Sequence, residues 1–213
     1  MSATVDADRF SQYWGCPVLY VPGRQFPVNV RHIRSVRSGL SLQLIYNDEI
    51  LRSSETEDWQ KSMLSTIFQI HQESPAKEDI LAFLTGQEEI ETMARQVRNI
   101  AKEFSDRPRL EVMPLYAAKP IEQQQLVFKK TGENCRKVVL ATNIAETSVT
   151  IPGVRHVIDS CRVKAKLHEA GAGLDVMKVV RVSKAQAKQR TGRAGRENEG
   201  TCYRLLTARS EQL

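Results

Sequence analysis

The chain has 213 residues, 41% of them hydrophobic and 26% charged, the balance of a globular domain long enough to bury one sizeable α/β core. No apolar run approaches the roughly 20 residues that cross a bilayer, and the opening MSATVDADRF lacks the charged-then-apolar order of a secretion signal, so no membrane partner is expected. A formal net charge of +6 favours an anionic partner, of which nucleic acid is the commonest, without deciding the matter alone.

Asp6 and Asp8 are helix-capping residue types ahead of a short run that Gly15 stops. Residues 18–21 read as a buried strand, and the turn-rich residues 22–27 as a linker. Residues 28–33 alternate apolar and polar, the mark of a strand, and 34–54 read as loop. Trp59, Met63, Ile67 and Ile70 recur at helical spacing until Ser74-Pro75 breaks the pattern. Residues 79–84 form a continuous apolar run, as in a central parallel strand, and Ile90, Met93, Val97 and Ile100 mark the next helix. A strand over 110–116, a helix over 120–130 opened by Pro120, and buried strands over 137–141 and 154–159 follow. Residues 162–168 and 174–182 flank a glycine-bearing tip as a β-hairpin, a helix starts at Ser183, and 201–206 close as a last strand. Strand alternating with helix implies an α/β fold: a parallel sheet with helices on both faces, plus a protruding hairpin. Functional residues are then expected at the C-terminal ends of the strands.

The four cysteines, Cys16, Cys135, Cys161 and Cys202, include no CxxC pair and read as reduced, buried thiols of a nuclear or cytosolic protein. No metal site is expected from them. Chemistry concentrates instead in the octet Gln189-Arg190-Thr191-Gly192-Arg193-Ala194-Gly195-Arg196. If the helix from Ser183 runs through it, Gln189, Arg193 and Arg196 share one face at i, i+4 and i+7. Two guanidinium groups and an amide aimed one way suit a transferring phosphate, and the glycines let a backbone or a bulky anion approach. A solvated basic helix end is the plainer alternative, although two mid-helix glycines cost about 1 kcal/mol each.

Residues 141–151 leave a buried strand with five hydroxyl or amide side chains, groups that bind phosphate oxygens without reading sequence. Turn-capping is the alternative for any one of them. Thr85-Gly86-Gln87, after Phe83-Leu84, has the same two readings.

The stretches FLTGQEEIE, MPLYA, VVLATNIAETSVTI and QRTGRAGR, in that order, resemble motifs IV, V and VI of the DEAH-box RNA helicases of superfamily 2, and Ser2-Ala3-Thr4 resembles motif III. The resemblance covers essentially the whole chain. It implies the tail of a first RecA-like lobe over 1–21, a linker over 22–27, a second RecA-like lobe over 28–207 and the start of a winged-helix region over 208–213. The phosphate-binding GxxxxGK[ST] loop and the DEAH tetrapeptide of a first lobe do not occur in this sequence. The resemblance therefore implies a fragment, expected neither to hydrolyse ATP nor to unwind RNA on its own.

By matching positions, the resemblance implies that Gln189 helps place the attacking water, and that Arg193 and Arg196 are arginine fingers. Ser148 is implied to sense the γ-phosphate side, Thr150 to lie at the ribose, and Phe128 to stack on the base, a core phenylalanine being the alternative. Thr85, Gly86, Thr142 and Asn143 are implied to grip the backbone of single-stranded RNA. ATP and magnesium are the implied cofactors, held mainly by the first lobe. Pro152 stands where many members carry a ribose-contacting aspartate, which implies weaker ribose discrimination. The hairpin is implied to act as a strand separator, with Lys164, Lys166 and His168 either assisting or simply solvated; Lys119, Arg136 and Lys137 read as surface charges.

Three readings follow from the resemblance: an RNA-dependent motor translocating 3′ to 5′, an RNA-binding or sensing module with incidental ATPase activity, and a platform for protein activators. Residues 163–196 resemble the branch linked to nucleolar RNA metabolism and cytosolic RNA sensing, which implies nucleus, nucleolus and cytoplasm as its places of work.

Overall fold

Alternating apolar runs and amphipathic helices assemble into one six-stranded, all-parallel sheet with a separate two-stranded hairpin. The structure is a computed structural model that describes residues 7–19, 25–32, 59–103, 107–146, 150–169 and 173–206. In chain order the elements are α1 (Ala7–Trp14), β1 (Val28–His32), α2 (Trp59–Glu73), β2 (Asp79–Phe83), α3 (Gln87–Ala101) and β3 (Arg109–Leu115). Then follow α4 (Ile121–Gln125) with a 3-10 turn over Leu126–Phe128, β4 (Cys135–Ala141), β5 (Val154–Asp159), β6 (Arg162–Glu169), β7 (Leu174–Arg181), α5 (Lys184–Thr191) and β8 (Gly200–Arg204). The sheet order is β1-β8-β5-β2-β4-β3, and β6 pairs with β7 antiparallel.

Successive residues of a strand face opposite sides, so β2 feeds two cores. Ile80 and Ala82 join Val138, Leu140 and Ile158 beneath α2 and α3, which supply Met63, Ile67, Ile90, Met93 and Val97. Leu81 and Phe83 join Val139, Ala141, Val157, Ala145, Ile151 and Ala194 on the other face. Every residue of β2 is buried, which is why its sequence shows no alternation.

Several expectations need correction. Cys16–Leu19 forms no strand, and Val18 and Leu19 are exposed; no strand among the described residues pairs with it, so its apolar side chains have no sheet to enter. Residues 20–24, the loop over 34–54, Ser2-Ala3-Thr4, Ser148, the tip residues Gly171 and Ala172, and 208–213 lie outside the described residues. Cys161 and Cys202 are buried, but Cys16 is exposed and Cys135 half-buried.

Arg136 and Lys137 are fully buried, not surface charges. Arg136 donates to the carbonyls of Ile70 (2.5 Å), Ser74 (2.7 Å) and Pro75 (2.5 Å), satisfying acceptors left open at the end of α2. Lys137 Nζ lies 3.4 Å from Asp79 Oδ2 and donates to the carbonyls of Lys129 (3.0 Å) and Pro152 (3.2 Å). A buried cation persists only when so paired.

His71 on α2 is buried, and burial first, then Arg136 and Arg107, pull its pKa from 6.5 down to about 4. The native state holds the ring neutral while the unfolded chain protonates it near its ordinary value. Its contribution is therefore complete above pH 6.5 and is lost as pH falls toward 4. The loss is on the order of 2–3 kcal/mol. We expect urea unfolding at pH 7.5 and pH 4.5 to show a smaller drop in stability for His71→Gln than for the unaltered chain; equal drops would contradict this.

Candidate nucleotide and nucleic-acid site

Two crossover segments lie side by side on one face of the sheet. Residues 142–146 leave the C-terminal end of β4 and 150–153 lead into β5, and α5 with the turns after it runs from the hairpin to the start of β8. Ser183 starts α5 with a reciprocal cap: its Oγ accepts from Gln186 N (3.2 Å), and Gln186 Oε1 accepts from Ser183 N (3.1 Å).

The helix stops at Thr191, with Gly192 as its C-cap. Gln189 is therefore helical, but Arg193 and Arg196 are not, and the shared helical face does not exist. Tight turns place them instead: Arg193 N donates to Arg190 O (3.0 Å) and Ala194 N to Thr191 O (3.1 Å). The glycines are not mid-helix either. A Cβ on Gly195 would sit 2.5 Å from Phe26 O and 2.8 Å from Val28 Cγ2, so this glycine admits the backbone entering β1. Phe26 N donates to Gly195 O (3.1 Å) at that contact.

Arg193 Nη2 donates to the carbonyl of Glu146, just past the 3-10 turn Asn143–Ala145 that leaves β4, and Arg196 Nη1 lies 3.5 Å from Thr150 Oγ1, shortly before β5 begins. Burial first, then the neighbouring Arg196, push the Arg193 pKa below its ordinary value, against the pull of Glu146. Two like charges are thus held close, an arrangement that an anion would relieve. Lys137 ties the carbonyl of Lys129 to that of Pro152 and so brings exposed Phe128 toward the start of β5. Arg196, Thr150 and Phe128 therefore lie toward the end of the sheet where β4 and β5 begin, while Arg193 reaches back to Glu146 and Gln189 lies on α5.

The opposite, C-terminal end carries the second group. β2 and β4 are neighbours in register, Phe83 beside Ala141, so Thr85-Gly86 and Thr142-Asn143 emerge together. Asn143 is exposed, Thr142 and Gly86 half-buried and Thr85 buried. Thr85 spends its hydroxyl and its N–H on Glu89 Oε2, so its direct polar contact is already committed. This group sits at the C-terminal strand ends, and Arg193, through the Glu146 carbonyl, reaches to within one 3-10 turn of Asn143.

Residues 60–198 match the family model of the helicase conserved C-terminal domain. The chain belongs to the helicase C-terminal domain family. It is 49% identical over 209 residues to the ATP-dependent RNA helicase DHX33 of Homo sapiens, covering 97% of this chain and 27% of that protein. It is 41% identical over 209 residues to the pre-mRNA-splicing factor ATP-dependent RNA helicase prp22 of Schizosaccharomyces pombe, covering 97% of this chain and 16% of the yeast protein. The crystal structure of the E. coli DExH-box NTPase HrpB matches with a TM-score of 0.78 at 32% identity, over 100% of this chain and 23% of that one. The fold is the RecA-like fold of such helicase lobes, in its DEAH-box form. The chain spans about a quarter of the length of its human relative.

Sequence reasoning missed the residue that ties the two crossovers of this helicase domain together. Arg190 is fully buried between the crossovers. Its Nε donates to Glu146 Oε1 (2.7 Å), and its Nη1 to Asp159 Oδ1 (2.7 Å) and Arg162 O (3.1 Å). Its guanidinium lies 4.8 Å from the Phe83 ring centroid. A carboxylate at the end of an apolar strand, Asp159, and one inside a hydroxyl-rich stretch, Glu146, were the signals that a buried cation was needed.

Among the described residues no group of three or more His, Cys, Asp or Glu side chains could hold a metal ion. The two octet glycines should separate cleanly in urea titrations: Gly195→Ala should lose about 1–3 kcal/mol by overpacking, and Gly192→Ala less than about 0.5 kcal/mol. Gly192 has open contacts of 3.5 Å or more. Equal effects would count against the close approach at Phe26.

Proposed function

We propose that this chain is the second RecA-like lobe of an ATP-dependent RNA helicase, and that it supplies half of a nucleotide site and half of an RNA track. The lobe occupies residues 28–207, preceded by the end of a first lobe over 1–21 and a linker over 22–27, with a winged-helix region beginning over 208–213. The observation that carries the reading is the repelling Arg193–Arg196 pair beside Thr150, on the edge where Phe128 also emerges. A chain that only bound RNA would have no need of two guanidiniums held close enough to repel.

In this reading Arg193 and Arg196 take the charge that develops on the β- and γ-phosphates during transfer to water. Gln189 orients that water, Ser148 senses the γ-phosphate side, Thr150 faces the ribose and Phe128 stacks on the base. ATP supplies the transferable phosphoryl group, and the magnesium ligands belong to the first lobe. Thr85, Gly86, Thr142 and Asn143 hold the sugar-phosphate backbone of single-stranded RNA, and the commitment of Thr85 to Glu89 leaves Asn143 and the backbone N–H groups as the direct donors. Such contacts are sequence-independent and salt-sensitive. The hairpin separates strands as the lobes step 3′ to 5′. The relatives' names support nuclear RNA processing as the setting; nucleolar and cytosolic work and protein activators belong to the same proposal.

The complete polypeptide carrying this lobe provides the test. Arg196→Ala should lower RNA-stimulated ATP hydrolysis on the order of 10³-fold or more while RNA affinity stays the same. Arg196→Lys should rescue little, because a point charge cannot fork across two oxygens. Unaltered turnover would sink the assignment, and loss of RNA binding with turnover intact would favour the sensing module instead.

Pro152 generates a second outcome. Its side chain offers no acceptor, and its carbonyl already receives Lys137 Nζ. ATP and dATP should compete within about tenfold of one another, the worth of a single hydrogen bond; strong preference for the ribonucleotide in a competition assay would overturn this.

A further inference from the structure

We propose that Arg190, with Glu146 and Asp159, couples the phosphate-facing arginines to the root of the hairpin, as a positioning residue that touches neither ligand. The inference rests on the helicase reading for what is being coupled, and on the geometry for the link itself.

The hairpin leaves β5 through Ser160 and Cys161. Cys161 has φ 55, the one non-glycine residue with positive φ among the described residues. A cysteine there is strained and persists only where its surroundings hold it. Asp159 does the holding: its Oδ1 accepts from Cys161 N (2.8 Å) as well as from Arg190 Nη1 (2.7 Å). Arg190 Nη1 also reaches the carbonyl of Arg162, the first residue of β6. The returning strand is tied to the same point, since Val182 N donates to Cys161 O (3.0 Å). Both strands of the hairpin are thus anchored where Arg190 ends. From its other side Arg190 binds Glu146 Oε1, and the carbonyl of Glu146 accepts Arg193 Nη2. One side chain and one intervening residue separate the hairpin root from Arg193.

Coupling requires an element with two discrete arrangements, and the cluster contains the parts for a second. Asp159 Oδ2 is buried without a hydrogen-bond partner among the described residues. Arg190 Nη2 lies 2.5 Å from Glu146 Oε1 yet makes no aligned hydrogen bond. Turning the guanidinium into a two-bond fork on Asp159 would satisfy both atoms and release the Arg162 carbonyl. A hairpin displaced by a nucleic-acid strand would favour that state, and Glu146 and Arg193 would follow.

The cluster carries one cation and two carboxylates, so Asp159→Asn leaves a balanced Arg190–Glu146 pair. It cannot form the charged fork. In the complete polypeptide, we expect Asp159→Asn to keep RNA-free ATP hydrolysis at its original level while RNA stimulation and base pairs opened per ATP fall about 5- to 100-fold. Glu146→Gln should do the same. A folded Asp159→Asn variant with unchanged stimulation and unchanged opening per ATP overturns the inference. An unaltered protein whose ATP hydrolysis ignores RNA overturns the helicase reading instead. If Asp159→Asn does not fold, arginine side-chain NMR of the unaltered protein decides. A shift of the Arg190 Nε–H signal on adding oligouridylate supports the coupling, and an unmoved signal with saturated RNA overturns it.

Discussion

One buried guanidinium organises the face of the sheet that carries residues 142–146 and α5. Removing a charge of that size from water costs several kcal/mol, and it is tolerated only when good geometry returns the loss. Arg190 meets that condition with two carboxylates, one carbonyl and the ring of Phe83. Burial depresses its pKa, but Asp159 and Glu146 outweigh burial and leave the group above its ordinary value, so it is always charged. Lysine could not substitute. A single ammonium has neither the plane to lie against Phe83 nor the spread to reach carboxylates on separate segments.

The consequence is register between two segments that have no backbone ladder joining them. Sheet hydrogen bonds fix β4, β5 and β8, but residues 142–146 and α5 are crossovers, free in principle to slide over the hydrophobic face. Apolar packing through Ala145, Ile151 and Ala194 is non-directional and would accept small shifts. The charged bonds to Glu146 and Asp159 are directional and would not. Position at the arginine edge is thus set by polar contacts laid over a core that supplies most of the burial.

What the sequence made legible follows the same division. Apolar runs and periodicity located β2, β4 and β5 and the two long helices, because those elements owe their existence to burial, and burial is written locally. Failures came where a distant partner decides. Residues 18–19 have a strand's composition and no strand beside them. The octet looks helical by spacing, yet it ends its helix at Gly192 because the chain must turn to enter β8. Arg136 and Lys137 look like surface charges until the end of α2 and Asp79 are known to stand over them. For the site, motif order and spacing named candidates, and the sheet register then set Thr85-Gly86 beside Thr142-Asn143. Arg190 stayed silent because a guanidinium beside two known arginines is indistinguishable from them until its burial is seen.

That distinction bears on how the lobe could act electrostatically. Three arginines occur within seven residues, and they are used in opposite ways. Arg190 is neutralised inside the fold and more. Arg193 is nearly buried, held by a carbonyl that carries no net charge, and pushed down by Arg196. The work of bringing the Arg193 and Arg196 guanidiniums close is therefore done during folding, not when an anion arrives. A phosphate meeting this edge would find donors already oriented, with little reorganisation left to oppose binding, which is the condition under which fixed dipoles and charges stabilise developing charge best. The carboxylate of Glu146 pulls on Arg193 but is bonded to Arg190, and it is the backbone oxygen of Glu146 that accepts from Arg193. By pairing with that carboxylate, Arg190 limits how far Glu146 offsets the positive charge of the Arg193–Arg196 pair.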